Sequence, residues 1–297
     1  MMKCLLIYNP VSGSSRQFIK KLPYVEKELK KKYEVVDIVA TSYAGEGRKL
    51  ADEACGKYDV LIASGGDGTF SDILKGIGEH KNAPTLGYIP SGSCGDVAFN
   101  YNIPHDIKKA LKVILKGQKK DVDLCKINDS YFSYVAALGT YTTGIYNTDQ
   151  LLKKKYGKAA YYIEFVKETF NVTTIDVTVS VGKKTFHEDN VLLALVMNTK
   201  AIAGFPYFNY KARMDDGKVD IVIVKKGPLN NPFNIWKLFL KGIEEFRDDP
   251  HVKIYSGSNI DVKVHNNICW NIDGDKSEYV DISVKCLKKK ITMFVGE

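Results

Sequence analysis

Four short runs, KCLLIY (3–8), EVVDIVA (34–40), DVLIAS (59–64) and TLGYI (85–89), constrain the fold of this chain more than any other feature. Each is too short for a buried helix and too continuously apolar or β-branched for a strand with one wet face, so each suits a parallel strand covered on both sides. Helical periods lie between them. Phe18, Leu22, Val25 and Leu29 recur at helical spacing, with Pro23 placed to begin a second piece of helix. Phe70, Ile73, Leu74 and Ile77 fall at i, i+3, i+4 and i+7, as do Ile107, Ala110, Leu111 and Ile114. The alternation predicts an α/β domain over 1–127, built on a doubly wound parallel sheet.

Beyond residue 127 the pattern changes. Strand-like runs follow one another at 131–139, 172–181, 191–198, 219–224, 260–264, 268–272, 279–286 and 291–295, interrupted by helical insertions only near 150–170 and 230–246. Consecutive strands with period-2 alternation predict an antiparallel β-sandwich as a second domain over 128–297, with the last strand, 288–297, free to return to the first domain.

Composition narrows the function class. With 297 residues, 44% hydrophobic and 26% charged, the chain has the balance of a soluble globular protein. Its start, MMKCLLIYNP, has no cleavage site, and its apolar run is far below the about 18 residues a membrane span needs, so a cytoplasmic location is expected. The six cysteines are scattered without a CxxC pair, which argues against a zinc site or a disulfide framework. A net charge of +8 points to an anionic partner. Lysine runs stand at 30–32, 153–155 and 288–290, on segments that read as a helix end, a helix start and a loop. The charge is spread and no recognition motif appears, so a nucleic-acid partner is not expected.

SGGDGT (64–69) ends the third predicted strand, where ligands of open α/β sheets bind. Glycines let the backbone approach a polyphosphate, the amides of the following helical turn point at the anion, and Thr69 adds a hydroxyl. Asp67 repels phosphate directly, but makes sense as the holder of a Mg²⁺ that bridges phosphates. The alternative is a plain strand-to-helix turn with Asp67 as its cap. YNPVSG (8–13), Thr41 and IPSGSCGD (89–96) occupy equivalent strand ends, and four such ends favour the phosphate site.

NPVSG, GGDGT, LGYIPSGSCGD and then NIDGD (271–275), in that order over nearly the whole chain, resemble the diacylglycerol kinase catalytic family, with its sphingosine and ceramide kinase relatives. GGDGT is also shared with NAD kinases; the NPxSG start and the LGxIPxG segment favour the lipid kinases. The resemblance implies ATP as the phosphoryl donor, a lipid hydroxyl as acceptor, most simply diacylglycerol giving phosphatidic acid, and Mg²⁺ as cofactor. It implies nucleotide contacts from Asn9, Ser12, Gly13, Thr41, Gly65, Gly66, Asp67, Gly68, Thr69, Phe70, Ser71, Gly92 and Ser93. Asp67 and Asp96 would serve the nucleotide's Mg²⁺, and Asp67 would thereby be catalytic. A second, structural Mg²⁺ turn is matched by ARMDDGKVD (212–220), with the Asp216 side chain and the carbonyls of Arg213 and Lys218 as ligands.

Two positions depart from the family. Its DGE motif, whose glutamate is taken as the proton acceptor, stands here as Asp273-Gly274-Asp275, so the catalytic pair is Asp273 and Asp275 with Asp275 as the base. Its GTxND stands as Gly92-Ser93-Cys94-Gly95-Asp96. The competing readings are a soluble NAD kinase-like phosphotransferase and a Mg-ATP-binding regulatory protein without catalysis. A lipid acceptor further implies peripheral attachment to an anionic membrane surface. The candidates are Tyr141, Tyr146, Tyr156, Tyr161 and Tyr162 with Lys153–Lys155, and FPYFNY (205–210). A homodimer is expected only because two-fold dimers are the commonest oligomers.

Overall fold

The computed structural model describes residues 2–92, 95–140, 142, 172–227 and 232–297. The chain divides into two compact units, residues 1–124 with 289–297, and residues 125–288. The division falls at 124/125, three residues before the expected 127/128.

In the first unit, strand β1 (Lys3–Tyr8) leads to helix α1 (Ser15–Lys30), β2 (Val35–Ala40), α2 (Glu46–Ala54), β3 (Val60–Gly65), α3 (Asp67–Ile77) and β4 (Thr85–Pro90). The short α4 (Asp96–Asn100) and α5 (Ile107–Lys116) follow. β1 is paired in parallel with both β2 and β3, Leu6 facing Ile38 on one side and Ile62 on the other, and β3 continues in parallel to β4. The order β2-β1-β3-β4 is that of a doubly wound sheet whose switch point lies between β1 and β3. All six residues of β3 are buried, which is why its sequence reads as an unbroken apolar run.

Helix α1 buries Phe18, Val25 and Leu29 and runs straight through Pro23, where the sequence suggested a new start. Pro23 and Ile19 both lie on the exposed side, so water can satisfy the Ile19 carbonyl that the proline ring leaves without an amide. Helix α2 carried no clear signal, since only small or half-buried apolar residues face inward. The Lys30–Lys32 run is absorbed locally: Lys30 pairs with Glu26 at 2.5 Å and Lys31 with Glu28 at 2.6 Å. Lys32 donates to the carbonyls of Ile114 and Leu115 at the end of α5.

The second unit takes up β5 (Lys119–Ile127) as it leaves the first. It adds β6 (Ser130–Phe132), β7 (Val135–Gly139), β8 (Ile175–Val181), β9 (Lys184–Met197), β10 (Val219–Lys225), helix α6 (Pro232–Lys241) and a 3₁₀ turn (Ile243–Phe246). Strands β11 (Val252–Gly257), β12 (Asn259–Val264), β13 (Asn271–Ile272), β14 (Asp275–Lys276) and β15 (Ile282–Phe294) complete it. The path β14-β13-β7-β9-β8-β12-β15 is antiparallel throughout, with β10 and β11 added to the other edge of β9.

Alternate residues of β7, β9 and β10 enter two different cores, as a period of two requires. Ala136, Leu138, Ala194, Val196, Ile221 and Ile223 join Trp270 inside the sandwich. Val135, Ala137, Leu193, Leu195, Val222 and Val224 face a second core roofed by Phe205, Phe208, Leu238 and Phe239. Trp270 is fully buried and its indole N–H donates to the Val280 carbonyl at 2.9 Å.

The run expected as one strand over 131–139 is broken at Ser133–Tyr134, for a reason that belongs to the site described next. Residues 279–286 and 291–295, expected as two strands, form the single β15, and Lys288–Lys290 lie in that strand rather than in a loop. Lys289 takes a positive φ of 50° there and donates its amide to Asp123 at 2.8 Å, which interrupts the alternation. The distal part of β15 then joins β4 in parallel at Met293 and Leu86, in the first unit. Among the described residues no helix is long and apolar enough to cross a membrane.

In the roof of the second core, Glu244 accepts two hydrogen bonds from Arg247 (2.8 and 2.6 Å) and pairs with Lys211 at 2.7 Å. Hydrogen bonding by Arg247 holds its carboxyl well below the usual 4.5, at about 2. A depressed carboxyl pKa stabilises the fold above its unfolded value and loses that contribution as pH falls through the folded one. Glu244→Gln should therefore unfold at lower temperature than wild type at neutral pH, with the gap closing as pH falls from about 4.5 towards 2. Thermal unfolding across that range checks it.

Candidate active site

In the first unit the loops that follow β1, β3 and β4 are laced together at the switch point. The amide of Asn9 donates to the Ser64 carbonyl at 2.9 Å, and its side-chain Nδ2 lies 3.4 Å from the Thr69 hydroxyl. Ser12 Oγ shares a hydrogen bond with Ser91 Oγ at 3.0 Å, the Ser14 amide donates to the Ser91 carbonyl at 2.7 Å, and Ser91 donates to Gly65 at 2.8 Å. Thr41, after β2, donates its amide to Tyr8 at 2.9 Å. Asn9, Ser12, Thr41, Gly65, Gly66, Thr69 and Gly92 thus belong to one set of strand-end loops.

Two glycines are there because of close approach, Gly65 to the Thr69 side chain and Gly92 to the Gly66 backbone. A Cβ on Gly65 would stand 2.3 Å from Thr69 Oγ1, and one on Gly92 would stand 2.3 Å from the Gly66 Cα. Helix α3 starts directly at Asp67 with Gly66 as its cap, so its positive end opens at these loops, which is the arrangement that receives phosphate. Phe70 and Ser71 lie beneath: both are buried, and Phe70 packs on Tyr88 and Tyr101 at 5.4 and 6.0 Å. Their side chains support the loop from below and do not line it. Ser93 falls outside the described residues.

Asp67 has a partner set that the sequence did not announce. Its Oδ2 accepts from the amides of Gly95 (3.0 Å) and Asp96 (3.2 Å), and its Oδ1 from Val97 (3.1 Å). These are the amides that open α4, so Asp67 caps a helix 28 to 30 residues further along the chain. A carboxylate offers about four lone-pair sites, and these three amides already engage both oxygens. Asp96, itself buried, is next to Asp67, and two carboxylates at one loop are hard oxygen donors of the kind a hydrated Mg²⁺ takes.

In the second unit, NIDGD forms a two-residue hairpin. Asn271 pairs with Lys276 and Ile272 with Asp275, while Asp273 and Gly274 take φ of 53° and 94°, as a type I′ turn demands. The two aspartates fare differently. Asp273 is buried and its Oδ2 accepts from the Ser133 amide (2.6 Å) and hydroxyl (2.9 Å), its Oδ1 from the amides of Tyr134 (3.0 Å) and Val135 (3.2 Å). That bend in the backbone splits β6 from β7. With four donors on it, Asp273 is an anchor rather than a base. Asp275 is exposed at the start of β14. Asn271 gives its Oδ1 to the Gly274 amide at 2.8 Å, and its buried Nδ2 finds no acceptor.

The 213–218 turn closes the long connection between the paired strands β9 and β10 and is not itself a tight hairpin turn. Asp216 accepts from the Lys218 amide at 3.0 Å, Arg213 reaches Asp215 at 3.4 Å, and Gly217 has φ 80°. One carboxylate and turn carbonyls are hard oxygen donors, which fit Mg²⁺ completed by water. Among the described residues no three His, Cys, Asp or Glu side chains cluster as a metal cage. The long-range partners Ser91, Ser133, Tyr134 and Asn271 carried no local signal beyond small or polar character.

Three substitutions separate anchoring from chemistry. Asp67→Asn replaces one acceptor oxygen with a donor facing the α4 amides, so hydrogen exchange at Gly95–Val97 should accelerate at least about tenfold, read by mass spectrometry. Asp273→Ala should lower unfolding free energy by about 3 kcal/mol or more, since several buried donors lose their acceptor. Exposed Asp275→Ala should stay within about 0.5 kcal/mol of wild type in the same urea titration.

Residues 3–127 match the diacylglycerol kinase catalytic domain, and residues 140–295 match the YegS C-terminal NAD kinase β-sandwich-like domain. The diacylglycerol kinase of Staphylococcus aureus strain MRSA252 is 33% identical over 290 residues, covering 97% of this chain and 91% of that protein. That of Staphylococcus carnosus strain TM300 is 32% identical, covering 97% and 94%. A crystal structure assigned to a diacylglycerol kinase of Bacillus anthracis strain Sterne superimposes with a TM-score of 0.85 at 26% identity, covering 99% of this chain and 95% of that one. With matches spanning both units and nearly the full length, the chain belongs to the diacylglycerol kinase family and carries its kinase catalytic domain.

Proposed function

We propose that this kinase transfers the γ-phosphoryl group of Mg-ATP to the free hydroxyl of diacylglycerol, giving phosphatidic acid, while attached peripherally to an anionic membrane surface. The observation that carries the reading is the division of labour in the NIDGD hairpin: Asp273 is saturated by four donors and Asp275 is left exposed. The relatives' shared name and a net charge of +8 support the acceptor and the surface.

In this mechanism the strand-end loops and the α3 N-terminus bind the nucleotide phosphates through backbone amides and the Thr69 hydroxyl. Asp67 and Asp96 would hold the nucleotide's Mg²⁺, which would supply charge neutralisation at the phosphate oxygens, and the 213–218 turn would hold a structural one. Asp275 takes the proton of the lipid hydroxyl as its oxygen forms a bond to the γ-phosphorus and the bond to the departing ADP oxygen breaks. The transition state is loose in most analyses, so positioning outweighs proton removal and an aspartate that reaches the hydroxyl suffices in place of glutamate. The glycine contacts at Gly65 and Gly92 and the Asp67 clasp fix that positioning.

The test is transfer of labelled γ-phosphate from ATP to a panel of lipids in anionic vesicles. Wild type should label diacylglycerol, Asp275→Ala should do so about 10²-fold more slowly at unchanged ATP affinity, and Asp67→Ala should lose both turnover and affinity. ATP binding without any labelled lipid across the panel sinks the proposal, and turnover of a water-soluble acceptor without vesicles replaces it with an NAD kinase-like one.

A further inference from the structure

The exposed large hydrophobic side chains among the described residues of the second unit are Tyr207, Tyr210 and Leu240, at 63%, 48% and 58% exposure. They come from separate parts of the sequence but share one surface. The Ile243 amide donates to the Phe208 carbonyl at 2.8 Å, and a Cβ on Gly242 would stand 2.5 Å from the Tyr207 carbonyl, so the 205–211 turn lies directly on the end of α6. Beneath it Phe205 packs on Trp236 and Phe239, and Phe208 on Phe239, with ring centres 5.0 to 5.8 Å apart. This aromatic floor is buried and holds the turn firmly, so the outward tyrosines are carried on a packed base.

The rim is basic. Leu240 projects from the exposed face of α6 between Lys237 and Lys241, and Lys211 lies 5.9 Å above the Tyr210 ring. Segments 200–213 and 232–247 together hold Lys200, Lys211, Arg213, Lys237, Lys241 and Arg247 against Glu244, which pairs with Lys211 and Arg247, and Glu245, which pairs with Lys241, while Asp215, Asp216, Asp248 and Asp249 follow just outside them. Rings with a polar tip, one aliphatic anchor and a surplus of lysines are the composition of a surface that lies in the headgroup region of an anionic bilayer.

We propose that Tyr207, Tyr210 and Leu240, rimmed by Lys211, Lys237 and Lys241, form the surface by which this enzyme docks on anionic membranes. The proposal rests on the lipid-acceptor reading above and names the part of the chain that delivers it. A bilayer is favoured over a second copy of the chain because basic side chains outnumber acidic ones in these two segments, and two like surfaces would bring the same surplus lysines together.

The test uses the full chain, with flotation on phosphatidylcholine vesicles with and without phosphatidylglycerol. The triple variant Tyr207→Ser, Tyr210→Ser, Leu240→Ser should partition at least about tenfold less than wild type. Lys237→Gln with Lys241→Gln should lower partitioning on the anionic vesicles alone, about fivefold per lysine at low salt. All five positions are exposed, so unfolding temperatures should match wild type. Phosphorylation of short-chain diacylglycerol dispersed as monomer should persist in both variants. A triple variant that floats as well as wild type overturns the proposal, as does a wild-type dimer by light scattering that the variant converts to monomer without loss of flotation. If wild type phosphorylates no lipid yet the triple variant still loses flotation, the docking surface stands and the kinase acceptor reading is the one that fails.

Discussion

Backbone amides that no helix or strand can satisfy must find an acceptor, and in each unit of this chain one aspartate supplies it. Asp67 collects the three amides that open α4, and Asp273 collects those of the 133–135 bend together with the Ser133 hydroxyl. Charged acceptors make short, strong hydrogen bonds, and an amide left bare in a buried turn costs free energy comparable to a lost bond. The loops that carry the site therefore depend on these two carboxylates for their shape.

The same clasp sets what the remaining acids can do. Asp273 is held by four donors, whereas Asp275, two residues on, is exposed at the start of β14. In the first unit Asp67 sets the shape of the loop ahead of α4, since its oxygens hold the three amides that open that helix. Gly92 completes the arrangement by letting its loop meet the Gly66 backbone without a side chain between them, and Gly65 by leaving room for the Thr69 side chain.

Much of this was legible in the sequence, and the reasons for the rest are specific. β3 was readable because burial on both faces leaves an uninterrupted apolar run, and the loop glycines because a glycine cluster at a strand end is itself a local signal of close approach. The clasps were not, since their partners stand 28 to 30 and 138 to 140 residues away and include plain backbone amides that no motif records. The loop expected at Lys288–Lys290 was misread because polar residues at a strand irregularity look like a turn; Lys289 bends the strand without ending it. Helix α2 was passed over because its inward residues are small. The tyrosines at 141–162 and Lys153–Lys155 lie outside the described residues, whereas the 205–210 aromatics divide into a buried floor and an exposed surface.

β15 gives the chain an order of assembly as well as a shape. Its distal half covers the free edge of β4, yet the ribosome makes it only after all of residues 125–288. While the sandwich is being synthesised, the first unit must wait with an apolar sheet edge unpaired, a template for wrong pairing that synthesis speed and chaperones have to guard. Native completion of the nucleotide-binding half is thus a late event in the life of the polypeptide, even though that half emerges first.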